Sequence, residues 1–329
     1  MKKTLLLSFC VGIAWLISTV IGSSRGPESG VDQVITIPNQ VSALASSKTQ
    51  LYVGYGDGRL EVWQVSPPKK LYAFIAHDGA IRKIRVNEET SECITVGARG
   101  SIARWDRDWH LIKRHRFTDR HLNDAILGSS ENLIVGGDKG HLSQVGAKPW
   151  RIQGIHNLAV FGLALDPTRK HILSVGTTNT LNLWSVADGE NVGYIPLDSL
   201  WGHTINIIND EAWVGDEQGR IQGFNLATNT PTGALKVCSS RIITSAASNS
   251  LLALGCENGE MSVIDTAKKH IVSTQKLLQT PIFALTFFDT GLVVGSTGPT
   301  MRFVREYDKT SSEEINLGGM DSWGNSVPN

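Results

Sequence analysis

The chain has 329 residues, 41% hydrophobic and 19% charged, with 33 glycines, so it can bury a large core divided among many short elements joined by turns. Its 31 Lys and Arg are balanced by 31 Asp and Glu, which removes the general field that draws proteins to nucleic acid or to an acidic membrane surface. Four cysteines in a chain of this size exclude a disulfide-built scaffold.

The chain opens with "MKKTLLLSFCVGIAWLISTVIGSSRG", two lysines followed by an apolar run from Leu5 to Ile21 and then small residues, the pattern of an export signal over residues 1–24. The run is at the length where removal by a peptidase and retention as a membrane anchor are both open. In either case the positive-inside tendency keeps Lys2 and Lys3 cytoplasmic and sends the rest across, so the body is expected to be periplasmic or otherwise exported. Membrane contact is then confined to this segment, if it stays. Phe9, bulky and directly before Cys10, argues against lipid attachment there. Residues 25–30 read as a short linker.

Next comes "QVITIP" (Gln33 to Pro38), a short strand pattern, and then "LYVGYGDGRLEVW" (Leu51 to Trp63), two strands joined by a Gly-Asp-Gly turn that carries Asp57. The second pattern recurs as "TVGARGSIARW", "IVGGDKGHLSQV", "SVGTTNTLNLW", "WVGDEQGRIQGF", "ALGCENGEMSVI" and "VVGSTGPTMRFV". Its anchor glycines are Gly54, Gly97, Gly136, Gly176, Gly215, Gly255 and Gly295, at spacings of 43, 39, 40, 39, 40 and 40. Copies two, four and seven read as having a turn one residue shorter, with the next large side chain (Trp105, Trp184, Phe303) eight rather than nine positions after the glycine. A period near forty predicts an all-β, seven-bladed β-propeller of four-stranded antiparallel blades over residues 31–307. In each copy an apolar lead-in strand such as "IRKIRV" or "VFGLAL" precedes the anchor strand, and a more polar fourth strand such as "KLYAFIA" or "PTGALKV" follows the pair. The seventh copy has no clean fourth strand after Tyr307, so "QVITIP" is expected to complete the last blade and remove its open edge. Residues 308–329, polar and rich in Gly and Ser, read as a flexible tail.

These repeats resemble the WD-repeat family over about residues 31–307. "HDGAIRKIRVNEETSECITVGARGSIARWD" places His77 at the family's histidine and Trp105-Asp106 at its eponymous dipeptide; Asp57 matches the turn aspartate of the first copy, and His156 and Trp184 match histidine and tryptophan in the fourth. No copy carries the whole histidine, aspartate and tryptophan set, since Arg99 and Asn179 stand near the turn position of copies two and four.

His77, His121, His156 and His203 occupy comparable places before successive first strands. They read either as a cluster on one face that binds a metal or a pH-sensitive partner, or as structural histidines in separate blades, and the absence of ligand spacing leaves no metal expected. Trp201, Trp109 and Trp150, in polar or Gly- and Pro-bearing connections, read as either packed or partner-contacting aromatics. The basic stretch Arg104 to His121 reads as a guarded outer strand. Cys93, Cys238 and Cys256 are expected as buried free thiols, with Cys238 to Cys256 the pairing to test in an oxidising compartment.

No nucleophile elbow, phosphate loop or cofactor motif occurs, so no cofactor and no catalysis are expected. The expected function is a non-catalytic protein-interaction platform, an accessory subunit on the outer side of the cytoplasmic membrane assisting an exported redox or envelope-assembly complex. Its partner is a protein rather than a nucleic acid, bound on the face of the inter-blade connections through His77, Arg120, His121, His156, Trp201, His203 and Arg241. The alternative is an exported enzyme or small-ligand sensor that uses the central channel.

Overall fold

A computed structural model describes residues 33–36, 40–64, 69–87, 90–117, 121–129, 132–288, 291–296, 300–305 and 307. Residues 1–24, expected as an export signal, residues 25–30, expected as a linker, Arg120 and residues 308–329, expected as a flexible tail, lie outside the described residues. The strands form seven sheets of four antiparallel strands each. Their first strands are Val41–Ser46, Ile81–Asn87, Leu122–Ser129, Val160–Leu165, Gly202–Ile208, Ile242–Ser248 and Ile282–Phe288, which number blades 1 to 7. Each first strand touches the first strand of the next blade, and the seventh touches the first, so the sheets form a ring. In blade 7 the fourth strand is Gln33–Thr36, paired antiparallel with Thr300–Val304 so that Gln33 lies opposite Phe303. The N-terminal strand therefore completes the last sheet, as "QVITIP" predicts. Among the described residues no helix is long and apolar enough to cross a membrane.

Burial changes from strand to strand within a blade and explains the composition of each. Second strands such as Glu92–Gly97 and His171–Gly176 are buried on both faces after their first residue, which is why they are mostly apolar, broken in these two blades by one buried hydroxyl, Thr95 or Ser174. Fourth strands such as Lys69–Ile75 and Leu111–Arg116 are mostly exposed edges and carry lysines and arginines, which discourage pairing with other chains. The basic stretch expected on an outer strand lies there. The core consists of clusters that each straddle one seam: Leu60, Val62 and Tyr52 of blade 1 pack with Ile81, Ile84 and Trp105 of blade 2, and Val41 and Trp63 pack with Ala284, Val293 and Met301 across the 7–1 seam. Each such fully buried aliphatic side chain contributes about 1.5–3 kcal/mol, so stability is spread around the ring.

The register corrects the reading of the glycines. Gly54, Gly136, Gly215, Gly255 and Gly295 pair with Ala43, Asp124, Thr204, Thr244 and Ala284, the residue after a bulge in each first strand. In blades 2 and 4 that place belongs to Val96 and Val175, and Gly97 and Gly176 sit one residue later. The large side chain of the third strand is therefore nine positions on in every blade: Trp105 lies opposite Cys93, Trp184 opposite Ile172, and in blade 7 Val304, not Phe303, opposite Leu292. No turn need be shortened. The two sets of glycines serve different neighbours. A Cβ on Gly54, Gly255 or Gly295 would come within 2.9, 2.5 and 2.5 Å of Ile81, Ile282 and Val41, which open the first strand of the next blade. A Cβ on Gly97 would come within 2.3 Å of the His77 ring, and one on Gly176 within 2.0 Å of the Ala159 carbonyl and 2.9 Å of His156.

Candidate interaction face and central channel

Because strands alternate direction, the loops joining one blade to the next and the turns between second and third strands share one face of the ring. On that face Gly58, in the turn after Asp57 and at φ 89°, accepts backbone bonds from Ala76 and His77 as the chain enters blade 2. Asp57 accepts the Arg59 N–H and so closes its own turn.

The histidines divide. His77 is buried, its Nε2 2.7 Å from Thr95 Oγ1 and its Nδ1 2.9 Å from Ser101 Oγ, while Trp105 Nε1 donates to the same Thr95 oxygen at 2.9 Å. His156 repeats the arrangement with Ser174 Oγ (2.8 Å), Thr178 Oγ1 (2.6 Å) and Trp184 Nε1 donating to Ser174. Each relay joins the entry loop, the second strand and the third strand of its blade, and a hydroxyl takes the place where the resemblance implies an aspartate. Burial pushes the His77 pKa down to about 4, with the Arg114 guanidinium adding to it, and burial alone brings His156 to about 4. These two side chains sit inside the blades and offer no surface to a partner. Thr95 and Ser174, unremarked in the sequence, are the hydroxyls that make the relays; the available signal was a Thr or Ser two residues before Gly in the copies that have both His and Trp.

His121 is exposed and its Nδ1 accepts from Arg82 Nη2 at 3.0 Å. Arg241 pairs with Glu257 at 2.6 Å. Trp201 is 39% exposed and Leu200 beside it 69%. The two backbone N–H groups of Leu200 and Trp201 donate to the Glu217 carboxylate at 3.0 Å each, so a turn residue of blade 5 braces this connection rather than leaving it a loose lip. His203 lies within a strand, not in the connection. Its ring stacks on Phe161 of blade 4 at 4.7 Å between centroids, and Trp201 meets it edge-on at 6.2 Å. Trp201, His203 and Phe161 thus form one aromatic line across the 4–5 seam. Burial, then Arg241, lowers the His203 pKa to about 4.

Every first strand carries a bulge after its first residue, and bulges re-aim side chains. The extra residues are Ser42, Arg82, Asn123, Phe161, His203, Ile243 and Phe283, and all seven line a central channel with a cavity of about 690 Å³. Polar bridges run along this wall: Ser42 Oγ donates to the Ile81 carbonyl, Asn206 to Ser245, and Arg85 forks onto Asp124 at 3.2 and 2.6 Å. Asp124 also accepts the N–H groups of Ala125 and Leu163. Burial works to raise its pKa, but Arg85, Lys83 and these hydrogen bonds outweigh it and hold the carboxyl below its ordinary range.

Cys238 and Cys256 form a disulfide with Cα atoms 6.4 Å apart, so the expectation of free thiols holds for Cys93 and not for this pair. Trp109 is 9% exposed and packs against Tyr52 at 5.4 Å, which places it in the blade 1–2 seam. Among the described residues no three His, Cys, Asp or Glu side chains gather as a metal site requires.

No protein-family model matches the chain. It is similar to Shk1 kinase-binding protein 15 of Schizosaccharomyces pombe, 30% identical over 81 residues that make up 25% of this chain and 23% of that one. It is also similar to DDB1- and CUL4-associated factor 13 of Xenopus tropicalis (23% identity, 50% of this chain, 37% of that protein) and to cilia- and flagella-associated protein 52 of Sus scrofa (23% identity, 53% and 28%). The chain thus spans well under half the length of these relatives. The crystal structure of the computationally designed Ika8 protein matches the fold with a TM-score of 0.65 at 16% identity, covering 82% of this chain and 98% of that one. With the ring and its relays, the sequence likenesses support a WD-like propeller.

Proposed function

We propose that the protein is a non-catalytic interaction platform that binds a protein partner on the face of the inter-blade connections. The observation that carries this reading is the braced aromatic line at the 4–5 seam: Trp201 and Leu200 stand exposed on a loop fixed by Glu217 and backed by His203 and Phe161. Exposed Trp on a rigid support is the side chain that most often anchors an interface, because it buries a large area while losing little rotamer freedom. His121 adds polar surface to the same face, and Arg241 adds a charge already paired with Glu257. The words "kinase-binding" and "associated factor" in the names of two relatives agree with a partner-binding role.

The platform is placed outside the cytoplasm, serving an exported redox or envelope-assembly complex. Two features support that placement: the export pattern of residues 1–24 and the Cys238–Cys256 disulfide, a bond kept in oxidising compartments. The test is co-purification from solubilised membranes with and without Trp201→Ala. A stoichiometric protein recovered with the parent and lost with the variant is the expected result; recovery of the same protein by both removes the 4–5 seam as its binding surface.

A further inference from the structure

The channel mouth is chemically lopsided. Blade 2 alone sends three cations into it, Arg82, Lys83 and Arg85, where the equivalent strands of the other blades present mostly small, hydroxyl or apolar side chains. The carboxylate on this wall, Asp124, is occupied by Arg85 and by two backbone N–H groups. Arg82 donates to Asn123 Oδ1 and His121 Nδ1, which orient the guanidinium without a carboxylate opposite it. Lys83 makes neither a hydrogen bond nor an ion pair among the described residues. Blades 4, 5 and 7 bring aromatic rings to the mouth: Phe161 stacked with His203, and Phe283, which is 43% exposed.

We propose that the channel mouth binds a small amphipathic anion, with its oxyanion head against Arg82 and Lys83 and its flat apolar body against Phe161, His203 and Phe283. The cavity of about 690 Å³ is of the size that encloses such a molecule. Guanidinium and ammonium donors to an oxyanion form the stronger, charge-assisted class of hydrogen bond, and the ring faces supply area that a bare inorganic ion cannot use. Burial, with the Arg85 guanidinium next to it, lowers the Lys83 pKa against the pull of Asp124, and an incoming oxyanion acts in the same direction as Asp124. This site adjoins the partner face, since Phe161 and His203 line the cavity while Trp201, edge-on to His203, does not.

The test is calorimetric titration of the full chain with 1-naphthyl phosphate, inorganic phosphate and 1-naphthol. We expect saturable one-to-one binding of naphthyl phosphate at least tenfold tighter than either fragment. Lys83→Met should weaken it at least tenfold, while Lys170→Met, which removes an exposed lysine elsewhere, should leave it unchanged. If Lys83→Met fails to fold by circular dichroism, Arg82→Gln carries the same expectation. Absence of saturable binding, equal affinity for a fragment, or parent-like affinity in the folded channel variant overturns the proposal. Loss of naphthyl phosphate binding by Lys83→Met with partner capture intact distinguishes failure of this proposal from failure of the partner-face reading.

Discussion

Blades 2 and 4 and blade 6 fasten the same two points with different chemistry. His77, His156 and Cys238 each lie four residues before the first strand of their blade, and Gly97, Gly176 and Cys256 each end the second strand opposite that strand's first residue. In blades 2 and 4 the imidazole packs over the glycine and reaches a hydroxyl and a tryptophan; in blade 6 the two positions are joined covalently. The entry loop must be tied to the second strand in either case, and the blade scaffold accepts a hydrogen-bond relay or a disulfide as the tie. What differs is sensitivity: the relay responds to protons and the disulfide to reductant.

The sharpest way to break this equivalence is steric. Gly176→Ala places a Cβ against the Ala159 carbonyl and His156, so it should prevent folding or cost about 4 kcal/mol or more in urea denaturation. A much smaller loss would mean that the entry loop moves freely. Removing the blade 6 tie by Cys238→Ser with Cys256→Ala, or by reductant, should cost about 3 kcal/mol for residues 18 apart, and reductant should then have no further effect on the variant. Acid separates the two kinds of tie. His77 and His156 have folded pKa values near 4 against an unfolded value near 6.5, so the unfolded chain binds the extra protons and stability is lost as pH falls from about 6.5 to 4. Each histidine should account for about 2 kcal/mol by pH 5, and a variant with both changed to Gln, though less stable at pH 7, should show a flatter pH profile. A profile as steep as the parent's would assign the acid sensitivity elsewhere. The smallest effect on folding belongs to a residue outside all three ties: Trp201→Ala should shift stability by no more than about 0.5 kcal/mol while weakening partner capture by more than about 1 kcal/mol.

The architecture was legible because the repeat forces it. A period near forty, strands that are apolar on both faces, and a missing fourth strand in the last copy leave one way to pair every edge, and Gln33–Thr36 takes it. The register was legible only in part. Aligning copies on glycine assumes one role for all seven, whereas Gly97 and Gly176 make room for a histidine ring and the other five make room for the next blade. The candidate face was half visible. Trp201 stood out by type and neighbours, but Phe161 and Glu217 join it through contacts across a seam and within a fold, 40 and 16 residues away, where no local pattern points. The basic run Arg104 to His121 leads to an outer strand, whereas the three cations of "IRKIRV" give no sequence signal of their own, because a strand's inward face is not visible until its bulge is known.

The pairing of Gln33–Thr36 with Thr300–Val304 also sets an order of events. Blades 1 to 6 are each contiguous in the chain and can be assembled as it is delivered, N-terminus first. Blade 7 cannot: its outermost strand arrives before all the others and waits for a partner that arrives after nearly all of them. Completion of blade 7 therefore waits for nearly the whole chain, and until it happens the waiting strand and the bare edge of Thr300–Val304 are the surfaces through which two immature chains would find each other.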